Sequence, residues 1–491
     1  MKHSKIVTAT GVAAALVALT ATTAVAAAPG SATGPSSSAS PYLLRTTPGV
    51  VTTSVLTVGD SVGGYRMVGI PDGLGAFDNG DGTFTLVMNH ELGAGAGVTR
   101  AHGAAGAFVS KWIIEKDTLK VLSGSDLIQR VYQTGVDGWD EITGTAAAAF
   151  NRFCSGDLAD ASAFYDASTG LGTQDRIFLN GEESGSEGRA VAHVVSGADA
   201  GTSFVLPALG RFSWENAVAK PGYGTQTVVV GTDDSTPGQV YVYIGEKKAT
   251  GNVVERAGLT GGQVYGVKVA GIGQEAQDTT LTLGSSRPFT LVPLGDVSAK
   301  SGATLQADSA AAGVSEMARP EDSSWDPSDA SSLYVATTNA FSKATRLWHF
   351  EFADASDVTK GGTATVAVQG PTTTSTTEGP HMFDNITVNE RGQVLLQEDP
   401  GNSAYLAGIW QYDAGTGSVK RIAQHDPSRF AAGGAQFLTV DEESSGIMPA
   451  PFLGAGKYLV DVQVHKASSD RELIEGGQLL VLNVAPGKPV S

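Results

Sequence analysis

Short apolar runs alternate with Gly- and Asp-rich turns along nearly the whole chain, and no long apolar period of helical type appears. That pattern predicts β-strands separated by tight turns. Strands are expected at 65–70, at 83–88 ending on Asn89-His90-Glu91, and in a hairpin of 108–114 with 119–122. Pro71-Asp72-Gly73 and Asp78-Asn79-Gly80-Asp81-Gly82 read as turns. Residues 146–150, just before Asn151-Arg152-Phe153-Cys154, are the best short helix candidate. A strand at 176–179 ends at Asn180-Gly181-Glu182-Glu183.

A rough repeat follows. Residues 225–230 end at Gly231-Thr232-Asp233-Asp234, and 239–244 and 264–269 come next around an outward excursion. Pairs at 333–337 with 346–352, and 386–388 with 393–396, lead to Gln397-Glu398-Asp399. Residues 408–412 with 419–423, then 458–464 with 478–483, finish the chain. The unit is a strand ending in carboxylates followed by strands joined by Gly-rich turns. Units of roughly 50 to 80 residues suggest an all-β fold, a β-propeller with large loop insertions. Propeller blades converge, so acidic strand ends from distant sequence would meet at one channel. A sandwich with long loops is the alternative fold.

Composition narrows the picture. The 491 residues contain 63 Gly and 20 Pro, as many short strands and turns require. The net charge is −18 with only 32 Lys plus Arg, which argues against nucleic acid or anionic membranes as partners. Lys2 and Lys5, the apolar run 6–19 and Ala24-Val25-Ala26 read as a secretory signal over 1–28. Residues 29–45 read as a Ser/Gly/Pro-rich spacer before a single domain at 46–491. The expectation is a secreted monomer without a membrane span.

Chemistry concentrates between Cys154 and Glu215. Cys154 is the only cysteine, so it is either a small buried hydrophobe or a reactive sulfur. Acidic clusters at Glu91, Glu182-Glu183, Glu215, Asp233-Asp234, Glu321-Asp322, Glu398-Asp399 and Asp441-Glu442-Glu443 have few basic neighbours. Carboxylates gathered at one face repel unless a cation is present, and calcium takes such oxygen ligands. A thiolate beside them suits iron or another transition metal better. His is scarce, which disfavours a His-rich zinc site. Arg319 either bridges neighbouring acids or grips an anionic substrate in a bidentate way. Nothing singles out a Ser-His-Asp triad, and no Walker-type loop is found.

Taken in order, Asn89-His90-Glu91, Cys154-Ser155-Gly156, Gly181-Glu182-Glu183, Gly210-Arg211-Phe212 with Glu215, Asp233-Asp234, Arg319-Pro320-Glu321, Asp384-Asn385 with Glu398-Asp399, Glu442-Glu443-Ser444-Ser445-Gly446 and Val462-Gln463-Val464 resemble the PhoX-like family of secreted bacterial alkaline phosphatases. The resemblance implies a six-bladed propeller hydrolysing phosphate monoesters with two irons and several calcium ions near the central channel. It implies Cys154 on iron, joined by Glu182 or Glu183 and by Glu215, with Glu321 shared among metals; Asn89, Glu91, Asp233, Asp234, Asp399 and Glu443 are the further candidate metal ligands. It assigns Arg319 to the substrate phosphate. A non-catalytic calcium-stabilised propeller that binds an extracellular partner is one alternative. A propeller hydrolase for phosphodiesters, phytate or lactones is another.

Overall fold

The computed structural model describes Met1 and residues 30–484; most of the expected signal peptide lies outside the described residues. Six mostly antiparallel blades surround a central channel. Their inner strands, in chain order, are Pro71–Asp78, Phe153–Asp157, Trp214–Ala219, Pro320–Trp325, Phe383–Val388 and Glu442–Pro449. Each inner strand packs beside the inner strands of the blades before and after it, and Glu442–Pro449 returns to Pro71–Asp78, so the ring is closed. The propeller expectation holds, and a two-sheet sandwich is excluded.

Closure is made by the two chain ends. The sixth blade takes Glu442–Pro449, Lys457–Val464 and Gly476–Val484 from the C-terminal part and Val50–Thr57 from the N-terminal part. Radial closure leaves only short blade edges unpaired. The stretch expected as a spacer takes part in this: Ser31–Thr33 pairs in parallel with residues 52–54, and Leu43–Arg45 adds an outer strand to the fifth blade. Leu43 is fully buried. The third and fourth blades are joined at their outer edges, where Ser286–Gly295 pairs with Gly362–Gln369.

Each inner strand carries a bulge at its beginning, marked by a shift of register at 72/74, 153/156, 214/217, 320/323, 383/386 and 444/447. A bulge re-aims the side chains beside it. In four blades the residue before the inner strand has left-handed backbone: Ile70, Arg152, Arg319 and Met382. All of these features lie at one mouth of the channel. At the other mouth a cavity of about 480 Å³ opens among Phe77, Asp157, Trp325 and Phe452.

The core is divided among the gaps between blades. Trp214, 1% exposed, stacks on Phe212 at 3.9 Å and fills the gap beside the second blade. A Cβ at Gly181 would stand 2.3 Å from Trp214, so only glycine lets the indole close against that strand. The buried Trp214 thus anchors the strand start that carries Glu215.

Three local expectations are corrected. Pro71-Asp72-Gly73 is the start of an inner strand, not a turn; the bulge there needs the same Asp and Gly that a turn would use. The expected strand at 65–70 shrinks to Tyr65–Arg66, paired with Ser61–Val62. The helix candidate at 146–150 is one 3-10 turn, Ala146–Ala148. The longest helix among the described residues, Gly302–Ala312, lies in the third-to-fourth blade connection and is not among the expected elements.

Candidate metal centre

The second residue of each inner strand forms a series around the channel mouth: Asp72, Cys154, Glu215, Glu321, Asp384 and Glu443. The residue just beyond each blade's second strand forms a parallel series: Glu91, Glu183, Asp234, Thr338, Asp399 and His465. The six-fold repeat of one blade position therefore turns scattered sequence into two concentric sets of polar side chains.

Three groups bring candidate ligand atoms within 4.8 Å of one another: Asp72, Glu91 and Cys154; Cys154, Glu183 and Glu215; Glu215, Glu321 and Asp384. Cys154 and Glu215 each belong to two groups, so the groups are contiguous. Buried oxygens without a hydrogen-bond partner include Glu215 Oε1 and Asp384 Oδ1. Such atoms are costly unless a cation completes them.

Electrostatics say the same. Burial and then Glu91 push Asp72 up; burial and then Glu91 do so for Glu183. Burial and then Glu321 raise both Glu215 and Asp384, and burial and then Asp234 raise Glu321. Burial, Asp72 and Glu215 push the Cys154 thiol up, and its Sγ donates to Asp72 Oδ2 at 3.4 Å. Asp399 is raised to about 7 by burial and Glu443. Acids this close hold protons unless a polyvalent cation replaces them. A sulfur among carboxylates, with orphaned oxygens and shared ligands, fits a polynuclear metal centre.

Two arginines border the acids. Arg152 pairs with Glu91 at 2.6 Å and also with Glu183, and its side chain is 49% exposed. Arg319 is gripped by Asp234 through two parallel bonds, Nε to Oδ1 at 2.8 Å and Nη2 to Oδ2 at 2.7 Å. Its Nη2 also lies 3.1 Å from Glu321 Oε1. Gln463 Nε2 donates to Asp72 and Glu91, both at 3.0 Å, tying the sixth blade to the first.

Not every expected ligand reaches this centre. Glu182 faces Arg189, accepting from its Nε at 2.6 Å and Nη2 at 2.7 Å and from the backbone N–H of Asn151 at 3.0 Å. Of the adjacent pair, Glu183 is the one beside Cys154. Asn89 spends its amide on the Cys154 and Ser155 carbonyls, while its Oδ1 accepts from Asn180. It braces the Cys154 backbone. Asp233 accepts from Ser213 N–H and Ser235 Oγ, outside the three groups. Asp234 holds Arg319. Asp399 and Glu443 stand next to the groups, and the hydrogen bond and charge of His465 outweigh burial to keep Glu443 below its usual range. Asp72, Arg152 and Asp384 stand at this mouth without being among the expected site residues. The signal for them was a constant offset from each inner-strand start.

A family profile described as alkaline phosphatase PhoX matches residues 198–447, just over half of the chain. The chain belongs to the PhoX alkaline phosphatase family. The match contains Glu215, Asp234, Arg319, Glu321, Asp384, Asp399 and Glu443 of the centre. The structure of Pseudomonas fluorescens PhoX in complex with vanadate, a transition state analogue, aligns at a TM-score of 0.59. It shares 14% identity and covers 92% of this chain and 97% of that one, a likeness of fold. A gluconolactonase from Xanthomonas campestris aligns over 90% of this chain and 99% of its own at 11% identity, with a TM-score of only 0.31. No curated protein matches the sequence. Membership of the PhoX family makes the chain a phosphatase by class. Among the described residues no helix is long and apolar enough to cross a membrane.

Proposed function

We propose that the protein is a secreted, metal-dependent phosphatase that hydrolyses phosphate monoesters at the acidic mouth of the channel. The observation that carries this reading is the meeting of Cys154 and the three carboxylate groups with the Asp234-bound Arg319. Asp72, Glu91, Cys154, Glu183, Glu215, Glu321 and Asp384 would hold the ions, with Asp399 and Glu443 beside them. The sulfur favours iron at Cys154, and the all-oxygen group of Glu215, Glu321 and Asp384 favours calcium. Bound there, such cations neutralise phosphate charge and supply Lewis acidity.

The chain's own contribution is positioning. Asp234 takes Nε and Nη2 of Arg319, which fixes the plane of the guanidinium and leaves Nη1 for an incoming phosphate oxygen. Arg152, fixed by Glu91 and Glu183, supplies a second cationic group at the rim. Phosphoryl transfer depends mostly on such positioning and charge stabilisation. The inner strands, each pinned by its bulge, hold the ligand atoms rigidly.

The reading is tested by release of phosphate from p-nitrophenyl phosphate by the purified, metal-loaded protein. Arg319→Ala is expected to lower kcat/KM by about 100-fold or more, as loss of one charge-stabilising donor does. Wild-type protein that holds calcium but no iron and releases no phosphate would favour the non-catalytic propeller instead.

A further inference from the structure

Arg319 stands in left-handed backbone, with φ at +57°, which any residue bearing a side chain adopts at a cost. Its neighbours are held from several sides. Met317 N–H donates to Gly238 O at 2.7 Å, on the third blade. Asn339 N–H donates to Ala318 O at 2.9 Å, and Thr338 N–H to Arg319 O at 3.0 Å. One grip comes from a side chain: Ala318 N–H donates to Glu275 Oε2 at 2.9 Å.

Glu275 is far from Arg319 in sequence. It opens the 3-10 turn Glu275–Gln277, in the excursion between Gln263–Val269 and Ser286–Gly295. Its side chain is 0% exposed. The other oxygen, Oε1, accepts from Arg346 Nη1 at 2.9 Å, Thr337 Oγ1 at 3.0 Å and Trp348 Nε1 at 3.2 Å. The Glu275 backbone N–H donates to Glu316 O at 2.8 Å. One oxygen is thus anchored on two strands of the fourth blade while the other reaches the peptide next to Arg319.

We propose that Glu275 is a positioning residue for Arg319: it holds the Ala318 peptide, and so the left-handed turn that aims the guanidinium into the acidic mouth. The inference rests on Arg319 contacting the substrate phosphate. A buried Glu–Arg pair with Arg346 that serves stability alone is the competing account. The two differ in whether Glu275 acts on phosphate binding through Arg319.

A double-mutant cycle decides between them. Orthophosphate binding is measured by titration calorimetry on the full-length, metal-loaded protein as wild type, Glu275→Gln, Arg319→Ala and the double variant, with metal content checked in each. Glu275→Gln is expected to weaken orthophosphate about tenfold. In the Arg319→Ala background the same change is expected to alter the Kd by less than about twofold. Glu275→Asp keeps the charge that Arg346 needs and gives a smaller shift with the same dependence on Arg319. It carries the test if Glu275→Gln does not fold. Equal shifts in both backgrounds, or no shift where Arg319→Ala gives one, overturn the proposal. An unchanged Kd in Arg319→Ala overturns the phosphate-binding role of Arg319 itself, and the proposal with it.

Discussion

Glu182 and Glu183 are adjacent, yet their substitution by Gln should give opposite results. The Glu182 carboxylate accepts two bonds from the Arg189 guanidinium, one from Arg189 N–H and one from Asn151 N–H, and its side chain is 6% exposed. Glu182→Gln removes the charge and leaves Arg189 uncompensated. Breaking a buried ion pair costs about 3–5 kcal/mol. Arg189 is 18% exposed and keeps its bonds to Ala147 O and Ala149 O, each at 2.8 Å, so about 3 kcal/mol is expected. With an unfolding entropy near 2.1 cal/mol/K per residue, that lowers Tm by roughly 3 °C in a chain of this size. Metal content should not change. Glu183→Gln instead removes a carboxylate pressed by Glu91 and next to Cys154. In excess chelator its Tm should equal or exceed that of wild type, while the reloaded protein should hold at least one ion fewer. Scanning calorimetry in chelator and elemental analysis after reloading measure both. Loss of metal from Glu182→Gln at unchanged Tm, together with full metal in Glu183→Gln, would refute the assignment.

Asp234→Asn loosens the two-bond grip on Arg319 and is expected to raise KM for p-nitrophenyl phosphate about tenfold, since each tenfold is about 1.4 kcal/mol; unchanged steady-state kinetics would contradict the role of Asp234. Chelator-treated protein should lose stability between about pH 4 and 7. Asp399 stands at about 7 in the folded protein against an ordinary 3.8, so its favourable contribution is complete below the ordinary value and lost as pH rises through 7. That one group contributes on the order of 4 kcal/mol, and Asp72, Glu183, Glu215, Glu321 and Asp384 shift in the same direction. Urea melts at pH 5 and pH 8, with and without chelator, check this; metal-loaded protein should not show the loss. Trp214→Ala should cost about 3–5 kcal/mol, read as a lower urea midpoint at unchanged slope.

The strand-and-turn alternation made the propeller legible, because blades repeat one pattern and their second strands end in conspicuous acids. Glu91, Glu183, Asp234 and Asp399 all follow a second strand, and their spacing showed in the sequence. The inner series was harder to see. A bulge breaks the period-two alternation just where the inner strand begins, so Pro71-Asp72-Gly73 has the composition of a turn while being a strand. Cys154 was visible because it is unique, and Asp384 was less so because Asp384-Asn385 resembles any polar strand end. The choice between Glu182 and Glu183 could not be read locally: it is made by Arg189, which takes Glu182 away from the channel. Glu275 gave no signal at all, since its partners come from Ala318, Thr337, Arg346 and Trp348 and meet only in the folded blade.

Cys154 and the carboxylates around it are proposed to hold several polyvalent cations. Elemental analysis of protein purified without chelator from a secreting host tests this most directly, with Cys154→Ala measured alongside. Iron together with calcium, more than one ion per chain, and loss of the iron in Cys154→Ala are expected. Active wild-type protein carrying no stoichiometric metal, or iron fully retained by Cys154→Ala, would contradict this.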